Sequence, residues 1–514
     1  MLGPDASPYH SRMRVLPESL YSSKQARYID QRAGDSGLDG DALMRRAGQC
    51  AFSVLQQRWP RAQRVVVVCG SGNNGGDGYV VAELAAQAGY SVTVVQLGEA
   101  RSETAKGALA AAQRAGITPS AYQGELPVGA EVIVDGLLGI GLDRAPTGLM
   151  AAAIDEINAL PCPVLALDIP SGLSADSGAA PGVIVQAAVT VTFIALKLGL
   201  FTGRGPDCCG EVVLDTLAVP PEIYQDEKPI ARRIGSALVA GFLPRRQPSA
   251  HKGMVGHLLV VGGNTGMTGA ARLAGEAALR CGTGLVSVAC PPSSVTAIGA
   301  SRPELMVRGV ADAAALRPLL AGKSALVAGP GLGQDDWGRG MLATILDAQT
   351  DVILDADALN LLAAAPQLLT GAVLTPHPGE AGRLLDCNSA AVQSNRPHAA
   401  SEIAGRYGCT CVLKGAGSIV QTDDGMTFVC DRGNPGMASG GMGDVLAGVI
   451  GSLAAQGLPG RTAAIAGVWL HSAAADLAAL AGGQAGLIAG DLMPYLRCLV
   501  DCPEQANESS HRGA

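Results

Sequence analysis

The stretch RVVVVCGSGNNGGDGYVVAELAAQAG (residues 64–89) joins an apolar run to a glycine-rich turn and an alanine-rich helical pattern. The same order recurs in HLLVVGGNTGMTGAARLAGEAALRCG (residues 257–282). A near-continuous run of Val and Leu is typical of a parallel strand that is buried on both faces, and the following helix covers one of those faces. The repeat therefore predicts an α/β fold class with two layered domains, each built around a largely parallel sheet.

The length of 514 residues also favours two domains, because a single hydrophobic core rarely extends over so long a chain. Prolines and charges replace the periodic apolar pattern in LAVPPEIYQDEKPIARRI (residues 217–234). We therefore place the domains at residues 1–225 and 230–505. Further strands of the first domain are expected at residues 91–97, 131–139, 163–172 and 188–197.

Composition and charge argue against several classes of function. With 3% aromatic residues and a formal charge of -8, the chain offers little for nucleic-acid binding. The most apolar stretch, residues 183–200, is interrupted by Gln186 and Lys197, so it predicts a strand and a turn rather than a membrane-spanning helix. We therefore expect no membrane partner. The 13 cysteines form no C-x-x-C pair and indicate reduced core residues. The N-terminus lacks a signal-peptide pattern, so we expect a cytoplasmic protein.

Polar side chains cluster where the strands of the first domain end. Open parallel sheets bind ligands at the carboxyl ends of their strands, so these residues should share one pocket. Oxygens of Asn74, Asp135 and Ser171 could surround a hard monovalent cation. The polar residues concerned are Asn73, Asn74, Asp77, Asp135, Asp168 and Ser171.

Two other interpretations of this region stay open. Gly70, Gly72 and Gly75 match the G-x-G-x-x-G fingerprint of NAD dehydrogenases, with Glu99 near the distance expected of a ribose-binding acid. Asp77 argues against it, since a carboxylate repels a pyrophosphate. A purely structural turn, with Asn and Asp capping the helix, is the other interpretation.

In the second domain, DRGNPGMASGGMGDVLAGV (residues 431–449) is a glycine-rich loop that opens a helix. The first N–H groups of a helix lack internal partners and stabilise an anion, and Gly440, Gly441 and Gly443 let the backbone approach it closely. Asp444 is then placed to accept the proton of an attacking hydroxyl during phosphoryl transfer. The structural alternative is a turn in which Asp444 caps the helix.

Ten motifs in this order resemble a known family, the bifunctional NAD(P)H-hydrate repair enzymes, and the resemblance covers nearly the whole chain. The motifs are GNNGGDGYVVA, VDGLLGIGL, ALDIPSGL, SAHKG, GGNTGMTGA, GPGLG, DADALN, TPHPGE, KGAGS and GNPGMASGGMGD.

For the first domain, the resemblance implies a Rossmann-like epimerase that interconverts the R and S forms of hydrated NADH and NADPH (NADHX and NADPHX). It implies that Asn74, Asp135 and Ser171 bind potassium. Asp168 is the acid/base candidate, with a ribose-holding role left open. The implied substrate-binding residues are Asn73, Asn74, Gly75, Gly76, Asp77, Gly139, Ile140, Gly141, Leu142, Asp143, Arg144 and Asp168.

For the second domain, the resemblance implies a ribokinase-like dehydratase that consumes ADP, or alternatively ATP. Asp444 would deprotonate the hydrate hydroxyl, which takes a phosphoryl group and leaves as phosphate. Glu380 is implied to hold a water of magnesium, while Asp355 and Asp357 are left open between structure and site. The implied nucleotide residues are Lys414, Gly415, Ala416, Gly417, Ser418 and Gly443, and the hydrate residues are Ala270, Gly331, His377 and Asp444.

Met442 and Ser439 stand where this family commonly has threonine, which bears on nucleotide preference, and fusion in one chain favours ADP. We expect a homo-oligomer. Two alternatives stay open: a ribokinase-like vitamin or sugar kinase, and a first domain that only binds ligands, as in scaffolds of RNA-related proteins.

Overall fold

A computed structural model describes residues 16–508 with the exception of 143, 301 and 349. The described strands are β1 (Ser19–Leu20), β2 (Arg64–Cys69), β3 (Ser91–Gln96), β4 (Ser120–Ala121), β5 (Val132–Gly136), β6 (Val164–Leu167), β7 (Val189–Phe193), β8 (Glu211–Asp215), β9 (Ala231–Arg233), β10 (His257–Val261), β11 (Leu285–Cys290), β12 (Met306–Gly309), β13 (Ala325–Ala328), β14 (Val352–Leu354), β15 (Val373–Leu374), β16 (Thr410–Leu413), β17 (Ser418–Gln421) and β18 (Thr427–Cys430).

The described helices of the first half are α1 (Ser23–Asp35), α2 (Gly40–Arg58), α3 (Asn73–Gln87), α4 (Glu103–Arg114), α5 (Leu149–Ala159), α6 (Gly205–Cys208) and α7 (Pro221–Gln225). Those of the second half are α8 (Ser236–Phe242), α9 (Thr268–Arg280), α10 (Val295–Gly299), α11 (Ala313–Leu320), α12 (Asp336–Leu346), α13 (Ala356–Ala364), α14 (Pro378–Leu384), α15 (Ser389–Ser394), α16 (Arg396–Tyr407), α17 (Met442–Ala455), α18 (Gly460–Gly482), α19 (Met493–Leu499) and α20 (Gln505–Glu508).

The first half is built on a seven-stranded parallel sheet with the order β4-β3-β2-β5-β6-β7-β8. Successive residues of β2 enter different cores: Val65 and Val67 pack on one face of the sheet, and Val66 and Val68 on the other. This is the burial on both faces that the apolar run predicts. From β2 the chain adds β3 and β4 on one side of the sheet and then β5 to β8 on the other, so the strand order reverses between β2 and β5. The ligand crevice is therefore expected at the carboxyl ends of these two strands.

The second half has an eleven-stranded sheet with the order β1-β9-β18-β17-β16-β15-β14-β13-β10-β11-β12. Strands β10 to β16 are parallel, whereas β17 runs antiparallel to both of its neighbours, β16 and β18. The sheet is therefore mixed at one end, because short turns join these last strands. The switch point lies between β10 and β13. With helices on both faces of both sheets, the α/β class predicted from sequence is confirmed.

The two halves share part of their interior. Leu198, Leu200 and Phe201 of the first half lie in one apolar cluster with Leu413 and Ile419 of the second. Strand β1 also pairs with β9 at the edge of the second sheet. An apolar interface of this kind restricts relative motion of two domains.

One prediction about the interior is confirmed, and another holds only in part. Residues 189–201 form a strand and a 3₁₀ turn, as predicted for the apolar stretch. One described helix, α18, is long and apolar enough to cross a membrane, but 78% of its most apolar window is buried inside the protein. This burial is what a core helix shows. All 13 cysteines are free thiols, as predicted, but Cys387, Cys498 and Cys502 are exposed, so the prediction of core positions is wrong for these three.

Candidate active sites

A cavity of about 500 Å³ opens at the carboxyl ends of β2 and β5, where the sheet topology places the crevice. The predicted residues that line it are Asn73, Asn74, Asp77, Gly139, Ile140, Gly141 and Asp168. The segment 73–77 forms the first turn of α3, whose N-cap is Gly72 and which has no side-chain cap. Asn and Asp therefore do not cap this helix, and the structural interpretation of the motif fails there.

Other predicted residues of this site face elsewhere. A β-carbon built on Gly75 would lie 2.0 Å from the carbonyl oxygen of Gly70, and one on Gly76 would lie 2.5 Å from Met44. These glycines allow α3 to pack closely against Gly70 and Met44. Leu142 and the exposed Arg144 lie outside the lining of the cavity, and Asp143 lies outside the described residues.

Asp168 is held by a buried lysine. Nζ of Lys197 donates to Oδ1 of Asp168, to Oγ1 of Thr192 (2.9 Å) and to the carbonyl oxygen of Phe193 (2.8 Å). The lysine is 1% exposed, and its three donors are all used. Asp168 has φ of 64°, a left-handed conformation that is costly for a residue other than glycine. The fold thus fixes both the backbone and one carboxylate oxygen of Asp168.

Two further carboxyl groups face the same charges. Burial raises the pKa of Asp77 well above its ordinary value, and Asp168 and Asp30 raise it further. Burial likewise raises the pKa of Asp30, with Asp168 adding to the effect and Lys197 opposing it. A cavity wall with one lysine and three carboxyl groups of unequal environment can both hold and move protons.

The three predicted cation ligands lie beside this cavity. Ser171 donates to both oxygens of Asp135, from its amide at 2.8 Å and from its hydroxyl at 2.6 Å. Burial raises the pKa of Asp135 to about 6, although these hydrogen bonds lower it. Both carboxamide atoms of Asn74 are buried with no partner. Among the described residues, no group of three or more His, Cys, Asp or Glu could hold a metal. An Asn, Asp and Ser set suits an oxygen-seeking monovalent cation better than a transition metal.

The second site surrounds the N-terminus of α17. Its N-cap is Gly441, with φ of 90°, and no side chain caps the helix. Asp444 therefore does not act as a cap, and the structural alternative fails here too. Gly440 has open space around it, and the hydroxyl of Ser439 is buried without a partner. The loop thus offers free donors and room for an anion.

Asp444 belongs to a compact group of charges. Burial first, and Asp355 next, raise its pKa to about 7 against the opposing effect of Lys414. Lys414 lies 2.6 Å from Asp355 and 3.7 Å from Glu380. Burial lowers the pKa of Lys414, but Asp355 and Glu380 outweigh burial, and the net shift is upward. A β-carbon on Gly443 would lie 3.2 Å from Nζ of Lys414, so the glycine loop and the lysine are in direct contact.

Of the predicted hydrate residues, Ala270 and Gly331 lie at the switch point, and His377 follows β15, two strands further along the sheet. Gly331 has φ of 59°, and a β-carbon there would lie 3.3 Å from Cβ of Ala270. His377 is the N-cap of α14, where its Nδ1 accepts from the amides of Gly379 and Glu380. Its side chain is 51% exposed. His377 therefore caps α14 and still leaves about half of its side chain accessible to solvent.

Residues that sequence reasoning missed or left open complete these sites. Lys197 carried a signal, because a lysine within an apolar strand pattern is seldom buried unless it is paired. Asp355, left open, forms the ion pair with Lys414. Asp357, also left open, accepts from the amide of Gly333 at 2.9 Å. Asp30 gave no signal, since it lies in a helix far from the strand ends in sequence.

Comparisons with known proteins match both halves. A sequence model of the NAD(P)H-hydrate dehydratase family matches residues 258–496, and one of the YjeF-related protein N-terminus matches residues 40–199. The bifunctional NAD(P)H-hydrate repair enzyme Nnr of Coxiella burnetii is 45% identical over 94% of this chain and 99% of its own. The Escherichia coli enzyme of the same name is 42% identical over 96% of each chain.

Solved structures resemble the second half. The crystal structure of the ADP/ATP-dependent NAD(P)H-hydrate dehydratase from Bacillus subtilis, co-crystallised with ATP and Mg²⁺, is 30% identical. It covers 52% of this chain and 97% of its own, with a TM-score of 0.47.

Proposed function

This chain belongs to the family of bifunctional NAD(P)H-hydrate repair enzymes, and we propose that it restores damaged NADH and NADPH in two steps at two sites. The first half interconverts the R and S hydrates, and the second half dehydrates the S form at the expense of ADP. The observation that carries the proposal is the presence of both sites in one chain, each at the switch point of its own sheet.

In the first half, we propose Asp168 as the acid/base group of epimerisation. The hydroxyl must leave the hydrated ring carbon and return from the opposite face, so a proton has to be given to the oxygen and later taken back. Lys197 holds Oδ1 of Asp168, and the other oxygen lies 3.3 Å from a β-carbon built on Gly139, at the cavity wall. One carboxylate oxygen is thus positioned and the other is directed toward the substrate space.

We propose that potassium binds at Asn74, Asp135 and Ser171. The support is the unpartnered carboxamide of Asn74, because a buried polar atom without a partner is costly unless a ligand satisfies it. When bound, the cation supplies positive charge that compensates Asp135. The three residues would then order the loops at the ends of β5 and β6.

In the second half, we propose Asp444 as the base that takes the proton of the hydrate hydroxyl. The hydroxyl oxygen then attacks the terminal phosphoryl group of ADP, which forms a phosphate ester and releases AMP. The ester C–O bond breaks, phosphate leaves with the electron pair, and loss of a proton from the adjacent ring carbon restores the dihydronicotinamide. A pKa of about 7 suits a base at neutral pH.

We propose that residues 414–418 and Gly443 bind the nucleotide, with Ala270, Gly331 and His377 beside the hydrate. Support comes from the contact of Gly443 with Lys414 and from the unpartnered hydroxyl of Ser439. Glu380 is the proposed magnesium residue, acting through water. Magnesium would neutralise charge on the phosphate oxygens, and the carboxylates of Asp355 and Asp444 near Glu380 would accept hydrogen bonds from its waters without ligating it directly.

The proposal is tested by mixing the protein with equilibrated R and S NADHX, magnesium and ADP, and separately ATP. Absorbance of the reduced nicotinamide should recover for both epimers, and the faster donor identifies the nucleotide. Recovery that stops at the S fraction would contradict epimerase activity. No recovery would contradict the whole proposal and favour the kinase alternative, against which the match of relatives over both halves already argues.

A further inference from the structure

We propose that Thr202, which the first half contributes, is a positioning residue for the nucleotide loop of the second half, residues 414–418. The inference rests on the nucleotide role proposed above for that loop. It assigns to the first half a part in ADP binding that is separate from epimerisation.

The contact between Thr202 and the loop is direct and buried. Oγ1 of Thr202 donates to the carbonyl oxygen of Gly417 at 2.8 Å, and the amide of Gly203 donates to the carbonyl oxygen of Ala416 at 3.2 Å. Thr202 is 0% exposed. Gly417 has φ of 60°, and a β-carbon there would lie 1.8 Å from the carbonyl oxygen of Phe201. The loop therefore packs against the backbone of the first half without an intervening side chain.

A buried arginine completes the support. Arg396 is 1% exposed, and its Nε donates to Oγ1 of Thr202 at 3.1 Å. Its terminal nitrogens donate to the carbonyl oxygens of Leu413, Lys414 and Gly417 at 3.3 to 3.4 Å. Burial lowers the pKa of Arg396 to about 10, so the guanidinium stays charged at neutral pH. The Thr202 hydroxyl thus both accepts from this cation and donates to the loop that the cation also binds.

The support is rigid because the segment that carries Thr202 is fixed at several points. This connecting segment, residues 197–203, begins at Lys197, whose ammonium is bound to Asp168. The amide of Gly199 donates to the carbonyl oxygen of Ala175 at 2.7 Å. Leu198 and Phe201 lie in the apolar cluster that both halves share. Thr202 consequently holds the loop against a segment that is fixed by its own hydrogen bonds and apolar contacts.

Removal of the hydroxyl would leave Nε of the buried Arg396 without its partner and the buried carbonyl oxygen of Gly417 with only the 3.4 Å hydrogen bond from Arg396, which is more costly than losing an exposed hydrogen bond. The loop can regain a partner only by moving. Ordering it again would then consume binding free energy from the nucleotide. We therefore expect the loss to appear in nucleotide affinity, with little change in the rate at saturation.

The test compares Thr202→Val, Thr202→Ser and Thr190→Val in the full chain. Thr190 is the matched control, because it is equally buried in the first half and donates to the carbonyl oxygen of Cys209 at 2.7 Å, away from the loop. For Thr202→Val we expect the KM for ADP to rise about tenfold, with kcat and epimerisation within about twofold of wild type. Thr202→Ser keeps the hydroxyl and should restore the KM. Thr190→Val should leave it unchanged.

A second measurement needs no variant. ADP should slow amide hydrogen exchange in residues 414–418 and also at Gly203 in the first half, since its amide is bound to the loop. A wild-type KM in Thr202→Val, or ADP protection confined to the second half, would overturn the inference. If wild-type protein recovers no NADH, the proposed function itself fails, and that result is distinct from an active enzyme that is indifferent to Thr202.

Discussion

Replacing Asp444 by asparagine should abolish dehydration and at the same time stabilise the fold. The change removes a base that contributes about 10²–10⁴ to the rate of proton transfer. It also removes a carboxylate that its surroundings disfavour, because burial first, and Asp355 next, raise its pKa from 3.8 to about 7. A change in pKa of that size corresponds to ~4 kcal/mol. The side chain is only half-buried, so screening by water should reduce the measured gain to about 1–3 kcal/mol.

The pH dependence has a definite sign. Since the pKa of Asp444 is higher in the folded state, the folded protein binds more protons than the unfolded chain between about pH 4 and pH 7. Wild-type stability therefore falls as pH rises through that window. The difference between Asp444→Asn and wild type should be absent near pH 4 and full above pH 7.

The assay pairs denaturant unfolding at about pH 4, the lower end of the titration window, and at about pH 8, about one unit above its upper end, with ADP-dependent recovery of NADH. Asp424→Asn is the control, because a hydrogen bond from the Thr422 hydroxyl lowers the pKa of Asp424. That variant should not gain stability at the higher pH. An Asp444→Asn protein that is less stable than wild type at pH 8 would refute the electrostatic reasoning. Dehydration within about tenfold of wild type would refute the role as base.

Three further predictions concern the first half. Asp168→Asn should abolish epimerisation while leaving ADP-dependent dehydration of the purified S form intact; equal loss of both activities in a folded protein would contradict separate sites. Lys197→Met should slow epimerisation by about tenfold or more, since Asp168 loses the cation that orients it; normal epimerisation in a folded variant would remove Lys197 from the mechanism. Potassium should raise the Tm of wild type above its value in sodium at equal ionic strength. The Asn74→Ala variant should lose this rise in Tm. The Asn73→Ala variant should keep it, because the Asn73 side chain instead accepts a hydrogen bond from the Ser102 hydroxyl.

Much of the fold was predictable, because the patterns that define it are local. The apolar run of β2 and the glycine-rich turn after it indicate a parallel strand and a helix without knowledge of the rest of the chain. Asp168 and Asp444 were also within reach, since each follows a pattern that places it at a strand end or a helix start. The antiparallel order of β16 to β18 was less accessible, because short apolar strands look alike in either direction.

What escaped prediction depends on neighbours that are distant in sequence. Thr202 and Gly417 are 215 residues apart, and no local signal joins them. Asp30 reaches the cavity from α1, although the strand-end rule directs attention to other segments. Periodicity identifies which residues are buried, but it does not identify which buried hydroxyl meets which carbonyl.

The connecting segment, residues 197–203, contacts both proposed sites and so links the two halves physically. In sequence it continues an apolar strand pattern, and its lysine and threonine look like interruptions of that pattern. In the structure, Lys197 fixes the proposed acid/base group of one site, and Thr202, five residues later, fixes the proposed nucleotide loop of the other. Both side chains are almost fully buried, so each can be retained in an apolar segment only because a polar partner compensates its desolvation. A dehydratase half without this segment would leave Gly417 and Arg396 to satisfy their buried groups in some other way.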